Sequence, residues 1–230
     1  LANISAARDL KTVQDLGVQR VVLPRELSID EIRKMDEEAP DDMDFEMFVH
    51  GALCVSVSGQ CYMSSIFGER SGNRGLCAGP CRLPFSSANN EYALSLKDLS
   101  LLDYANELRE LGVASLKIEG RMKRPEYVAA AVTAFKGALS GENYEKNAEN
   151  LQNIFSRSGF TSGYYDKKLG ADMFGIRTRE DVLASSEAIN EIHSVYRNER
   201  QVVPLKMTAK ILSGNKSELT VSDGVNTVCV

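Results

Sequence analysis

Four of the five cysteines in this 230-residue chain stand in one short stretch, at Cys54, Cys61, Cys77 and Cys81. Six residues separate the first two, fifteen the next two and three the last two. The stretch around them, Glu46 to Arg82, is rich in glycine. Four thiolates brought to one point bind zinc or an iron–sulfur cluster. Zinc sites usually show two tight cysteine pairs, and here only Cys77 and Cys81 make one. The wider gap from Cys54 to Cys61 suits a loop wrapped around a larger object such as a four-iron cubane. Zinc, two disulfides and inert buried thiols are the alternatives that spacing leaves open.

Composition narrows these. A hydrophobic share of 43% and a charged share of 26% are those of an ordinary globular chain. A net charge of −5 argues against a generic nucleic-acid binder but leaves room for local basic patches. No apolar run approaches the roughly 20 residues that span a bilayer. No signal peptide is evident, so a cytoplasmic setting is expected, and a reducing compartment favours metal over disulfides. The chain opens at Leu1 rather than Met and ends within an apparent strand, Thr227–Val230, so it reads as a piece of a longer protein.

Strand and helix signals alternate on either side of the cysteines. Residues 5–16 carry Ala6, Leu10, Val13 and Leu16 at helical spacing, with Ser5 and Gly17 as caps. A β-branched run follows at 18–23. Ser28 and Glu31 form a capping box that opens a helix to about Ala39. Strands are expected at 45–50, 92–97 and 113–118, and helices at 99–111 and from Pro125 to about Leu139. Between them lies a cysteine loop over 51–91, long enough to be functional. Four βα units call for a parallel sheet, and four are half of an eight-unit barrel. The fold class expected is α/β, a partial TIM-barrel-like set of parallel βα units. Further helices at 143–158 and 179–198 follow, then alternating hairpin strands from Val202 with turns at Ser213–Asn215 and Asp223–Gly224. The domains expected are a C-terminal half-barrel at 1–140, a helical extension at 141–200 and a truncated β-rich start at 201–230. A half-barrel exposes sheet edges, through which two chains can pair as a homodimer.

Strand alternation sorts side chains by face. It places Ser115, Lys117 and Glu119 on one face, away from Ala114, Leu116 and Ile118. It places Ser95 and Lys97 inward on the preceding strand, and Glu46, Phe48 and His50 inward on the one before. His50, Lys97, Lys117 and Glu119 then converge on one cavity, with Arg121 just past its rim. Lysines and an arginine there suit a carboxylate or phosphate; the plain alternative is a Lys–Glu pair that fixes packing. His50 is equally well read as a structural histidine, and His193 has no partner in view. Cys229 reads as a small apolar filler. Arg70, Arg74 and Arg82 either balance thiolates, meet phosphates or lie in solvent. Lys123 and Arg124 make a second basic spot, and Tyr164–Tyr165 either stack bases or pack their loop. No phosphate-binding glycine motif and no HExxH zinc-protease pattern are present.

The pattern Glu46-x-Phe48-x-x-Gly51-Ala52-Leu53-Cys54, then Gly59-x-Cys61-x-Met63-Ser64, resembles the signature of the collagenase-like peptidases, peptidase family U32. Ser95–Leu99 with Ser115–Lys123 is similar to the family's second block. Phe155–Tyr164 resembles its third, with Ser156 in place of the usual Asn and Ser158 as an insertion. The resemblance implies a TIM-barrel-like catalytic domain and, by its name, proteolysis. It also implies a rival activity, since several members are iron–sulfur proteins that hydroxylate an RNA base or a quinone precursor without molecular oxygen. The RNA-modifying ones draw on prephenate, a dicarboxylate. The β-rich tail resembles the branch that forms 5-hydroxycytidine in 23S ribosomal RNA, with rRNA or tRNA as partner. On that reading Cys54, Cys61, Cys77 and Cys81 hold a 4Fe-4S cluster. Lys97, Lys117 and Arg121 bind a small carboxylate, and Glu119 and His50 move protons. A peptidase using Cys54 and His50, or an inactive fragment, is the alternative.

Overall fold

A computed structural model describes residues 3–87, 90–121, 123–197, 203–211, 213–214 and 216–230. Leu1, Ala2, Met122, Asn198, Val202 and Asn215, which figure in the expectations above, lie outside the described residues. The chain forms two compact units, Leu1–His193 and Ser194–Val230.

The first unit enters through a 3₁₀ turn at Ala7–Asp9 and a six-residue helix α1, Leu10–Asp15. The helix is shorter than periodicity predicts. The turn is preceded by Ala6, with no side-chain cap, so Ser5 does not open a helix. Strand β1, Arg20–Leu23, follows. Helix α2, Ile29–Glu37, starts at the predicted capping box between Ser28 and Glu31, a device worth about 1 kcal/mol. It turns Ile32 and Met35 into the core. Strand β2, Asp44–Ala52, is buried without a break from Met47 to Gly51, the pattern of a strand covered on both faces. The cysteine loop then contains one short helix, α3, Met63–Gly68, and two 3₁₀ turns.

The return from the loop departs from expectation. Residues 92–97 are not a strand; they make only isolated bridges, Phe85 with Tyr92 and Leu96 with Phe174. The strand is β3, Asp98–Ser100, and it runs antiparallel to β2, with His50 opposite Ser100 and Ala52 opposite Asp98. The chain comes back against the end of β2 that it left, so no crossover sets a parallel direction. Leu102–Tyr104 is a 3₁₀ turn and α4 spans only Ala105–Glu110. Strand β4, Ser115–Ile118, restores the parallel direction beside β2. Helix α5, Pro125–Ser140, begins with Pro125 and ends on Gly141 in the left-handed region. After α6, Glu145–Ile154, the two-residue strand β5, Phe160–Thr161, pairs in parallel with β3. Helix α7 is Arg179–Arg197. The fold is thus mixed α/β with parallel strands in one sheet. The run of consecutive parallel βα units expected for a half-barrel is broken at β3.

The pairing of β2 with β4 contains an irregularity that matters for the site. Glu46 faces Ser115 and Phe48 faces Lys117, but His50 faces Ile118. One extra residue on β2 re-aims everything after it. His50 therefore joins the apolar face that α5 covers, where Ala130, Ala131, Ala134 and Ala138 let the helix approach closely. Phe45, Met47, Val49, Leu99, Leu101 and Leu108 complete that core.

The second unit contains an antiparallel sheet of β6, Lys206–Lys210, β7, Glu218–Ser222, and β8, Thr227–Cys229. It matches the predicted hairpins. Cys229 is exposed rather than a buried filler, because β8 is exposed along its length. Among the described residues no helix is long and apolar enough to cross a membrane.

Candidate functional site

The C-terminal ends of β1, β2 and β4 meet the cysteine loop, and three charged residues line that meeting. Gly51, next to last in β2, has φ +129, and a Cβ there would stand 2.6 Å from the Glu119 Cβ; only glycine lets the two strand ends close up. Glu119 accepts the Arg121 backbone N–H at 3.0 Å through Oε1, while Oε2 lies 3.6 Å from Arg25. Arg25 is almost buried, its guanidinium 3.8 Å above the Phe48 ring. Burial lowers its pKa, opposed by Cys54 and Glu119 nearby. Arg121 reaches into the loop itself: its Nη1 is 2.5 Å from where a Gly75 Cβ would be.

The loop is shaped by its own hydrogen bonds. Arg82 donates to Ser95 Oγ at 3.2 Å, to the Leu96 carbonyl at 2.5 Å and to the Leu53 carbonyl. It is a stitch across the loop's two ends, neither a surface cation nor a phosphate contact. Arg70 similarly donates to the Leu76 carbonyl. Ser58 donates twice to Glu26, both at 2.9 Å, and Ala78 donates to Ser64 Oγ at 2.8 Å.

All five cysteines are free thiols. Cys54 and Cys77 are exposed, Cys61 and Cys81 half-buried. The thiol pKa values of Cys54 and Cys81 are raised, first by loss of water and then by neighbouring cysteines, against Arg25 at Cys54 and Arg82 at both. The quartet is therefore within electrostatic reach of itself. Gly79 N–H points at Cys77 Sγ at 3.3 Å, the kind of backbone donor that tunes a thiolate ligand. Among the described residues no three His, Cys, Asp or Glu, the cysteines included, are grouped closely enough to hold a metal ion. The loop thus offers four free thiols, two of them open to solvent, beside two arginines.

The remaining predicted residues fall elsewhere. Lys117 pairs with Glu46 at 2.5 Å, and Ser115 donates to the same carboxylate at 3.1 Å; the lysine holds Glu46 below the usual carboxylate range. This is the packing pair that the sequence allowed as the plain reading. Lys97 bonds through its backbone to Met173 and lays its stem on Gly175. His193 does have a partner, Glu126 on α5. Tyr165 packs its loop: it is buried, meets the Tyr104 ring at a tilt with centroids 4.7 Å apart, and donates to Glu107.

His50 is sealed in the core at 0% exposure, among Tyr127, Phe135 and Phe160. Neither ring nitrogen has a hydrogen-bond partner. Burial pushes its pKa down to about 3, with Lys123 adding to the effect. The unfolded chain has His50 near 6.5, so below that pH the unfolded state takes up a proton that the folded state refuses. Stability then falls with decreasing pH at up to about 1.4 kcal/mol per unit until the folded pKa is reached. Between pH 7.5 and 5 the His50 contribution lost is about 2 kcal/mol. Urea unfolding at both pH values, for wild type and His50→Phe, should show a smaller loss in the variant by about that amount. Equal losses would mean the imidazole is not neutral and buried.

A second cluster was not visible as a unit in the sequence. Asp98, 1% exposed, pairs with Arg157 at 2.6 Å. Around them stand Lys123, Tyr127, Phe155 and Arg177. Lys123 was legible only as part of a basic spot and of a family block, and Asp98 and Arg157 only as letters within family blocks. By contrast, a groove of about 290 Å³ beside Ser100, Gln152 and Thr161 is lined by no cysteine, lysine or arginine.

Comparison with known proteins agrees with the motif. The model of peptidase family U32 matches residues 1–200. A collagenase of Porphyromonas gingivalis (strain W83) is 35% identical over 72% of this chain and 45% of its own length. The 23S rRNA 5-hydroxycytidine C2501 synthase of Escherichia coli K12 is 40% identical over 60% of this chain and 22% of its own. The tRNA hydroxylation protein P of the same organism is 26% identical over 94% of this chain and 60% of its own. This chain thus spans between about a fifth and three fifths of these relatives. No solved structure matches. The chain belongs to peptidase family U32.

Proposed function

We propose that this member of peptidase family U32 is an iron–sulfur-dependent RNA base hydroxylase. The observation that carries the reading is the free-thiol quartet Cys54, Cys61, Cys77 and Cys81 on one loop at the strand ends, beside Arg25 and Arg121. Relatives named for 23S rRNA and tRNA hydroxylation support RNA as the substrate class. The four cysteines would hold a 4Fe-4S cluster, which supplies one-electron redox chemistry when bound. Arg121 lies against the loop two residues before Cys77 and offers a fork to an anion at that edge. Glu119, partly exposed and flanked by Arg25, is the carboxylate placed to hold or release a proton there. The finer reading is formation of 5-hydroxycytidine in 23S rRNA with prephenate as donor, on a barrel whose parallel strands β1, β2 and β4 carry the site at their C-terminal ends.

Proteolysis fits the geometry less well. A thiol peptidase needs a base in hydrogen-bond reach of its cysteine. Here Cys54 is exposed while His50 is enclosed among aromatic rings with both nitrogens unpartnered. The test is anaerobic purification, assay of iron and sulfide, and mass spectrometry of rRNA and tRNA from cells lacking or expressing the full-length protein. Iron and sulfide in near-equal amounts, with a hydroxylated base that disappears in the null cells, is the expected result. Metal-free protein that digests casein would return the chain to the peptidases, and zinc would make the site structural.

A further inference from the structure

We propose that Arg25 is a positioning residue of this site, a buried cation that raises the reduction potential of a cluster held at Cys54. The proposal rests on the hydroxylase reading for the presence of the cluster; its geometry stands separately. Arg25 lies in the turn between β1 and α2. Its side chain is 10% exposed, and its guanidinium carbon sits 3.8 Å above the Phe48 ring, which fixes the charge in place. Gly51 brings the end of β2 against Glu119, and Cys54 follows three residues later. The next residue of the turn, Glu26, accepts the Ser58 N–H and hydroxyl, each at 2.9 Å. Ser58 is buried, in the stretch between Cys54 and Cys61. The turn is thus bolted to the cysteine loop one residue away from Arg25.

What Arg25 lacks is hydrogen bonds. Its Nε is buried without a partner. Glu119 Oε2, at 3.6 Å, is an ion-pair neighbour beyond hydrogen-bond range. Burying a charge is costly unless it is paired and hydrogen-bonded. Buried polar atoms left unpaired are rare in a folded chain, and a redox or catalytic role is one reason for keeping them. The charges that face Arg25 point to that reason. Cys54 stands first among the groups that favour its ionised form, before Glu119, Glu26 and Tyr127. Arg25 in turn stands first among the cations that act on Cys54, before Arg82. The other charges nearby are engaged. Lys117 shares the Phe48 ring at 5.2 Å but is paired with Glu46. Glu26 is held by Ser58, and Glu119 also accepts the Arg121 backbone N–H.

Four thiolates around a cluster leave net negative charge, and reduction adds one more. A fixed cation beside one ligand favours the more negative form. Net charge and neighbouring groups are the protein's levers on such potentials. Glu119 pulls the other way. Cys54 is open to solvent, so the field of Arg25 is partly screened there.

The experiment is a dithionite titration of the anaerobically reconstituted 230-residue chain, followed by visible absorbance and electron paramagnetic resonance. Arg25→Met keeps a stem over Phe48 and removes the charge. It should hold iron and sulfide as wild type does. Its reduction equilibrium should shift about tenfold toward the oxidised form, about 59 mV for one electron. Arg25→Lys, which keeps the charge, should stay within about threefold of wild type. Glu119→Gln, which removes the opposing charge, should shift the equilibrium toward the reduced form. Arg20→Gln, at an exposed arginine of β1 paired with Asp44, should stay within about twofold. If Arg25→Met does not fold, Arg25→Gln, neutral and able to hydrogen-bond, decides. The proposal is overturned if the neutral variants leave the potential unmoved, if Arg25→Lys falls as far as they do, or if Arg20→Gln shifts it equally. Loss of the cluster in both neutral variants would make Arg25 a structural residue and overturn it too. A cluster whose potential ignores Arg25 sinks this proposal alone. A potential that depends on Arg25, in a protein whose null cells lose no hydroxylated base, sinks the hydroxylase reading alone. Wild type that takes up no cluster sinks both.

Discussion

Replacing Cys77 by serine should abolish the visible absorbance and the bound iron and sulfide of anaerobically reconstituted protein, while leaving its far-UV spectrum unchanged. The contrast follows from where Cys77 sits. It is exposed, on a loop outside the sheet, and contributes to no apolar core. Its sulfur receives the Gly79 N–H at 3.3 Å and a weak contact from Ser64 Oγ at 3.8 Å, both of which serine's hydroxyl can still receive. A change at such a position costs within about 1 kcal/mol of stability. Losing one of four cluster ligands is a different matter, since a hydroxyl at this pH is not an anionic ligand. Full absorbance in Cys77→Ser would remove this residue from the ligand set. Loss of absorbance together with loss of the far-UV signal would mean the cysteine is structural instead.

The largest stability effect should come from Asp98→Ala, a loss of about 3–5 kcal/mol. Asp98 is enclosed and is the carboxylate paired with Arg157, with Lys123, Arg177 and Arg82 also in its field. Removing it leaves the nearly buried Arg157 guanidinium without its paired carboxylate. It also frees Arg157, whose ion pair links the start of β3 to the turn before β5. Urea unfolding should show a lower midpoint at an unchanged slope. The double change Asp98→Leu with Arg157→Met should recover much of the loss, because the cost lies in the orphaned charge rather than in the pair itself. A single variant within about 1 kcal/mol of wild type would show that water already reaches this carboxylate.

The fold was legible wherever one residue dictates its own neighbourhood. Ser28 with Glu31 marked the start of α2, Pro125 and Gly141 bracket α5, and the alternation beyond residue 203 marked the hairpins. It was not legible where pairing depends on a return path. Residues 92–97 have strand-like letters, yet the chain spends them closing the loop and pairs with β2 only from Asp98 on, in the opposite direction. The site divides the same way. The cysteine quartet and Arg121 stand out in the sequence by type and spacing. His50 was placed beside Lys117 by an alternation that one extra residue on β2 breaks. Arg25, which lies over Phe48 and beside Glu119, gave no signal at all, because nothing local marks a residue whose partners are twenty or more positions away.

The sequence by itself determined the chemical inventory: four thiols at fixed spacing, the glycines that let their loop turn, and a family signature that needs only adjacent letters. Tertiary structure alone decided which charges meet. It gave Lys117 to Glu46, sealed His50 among rings, and gathered Asp98, Lys123, Arg157 and Arg177 from four separate segments around Phe155. The physical reason is range. Caps, turns and periodicity act over a few residues, whereas burial and Coulomb balance depend on every segment that shares a volume.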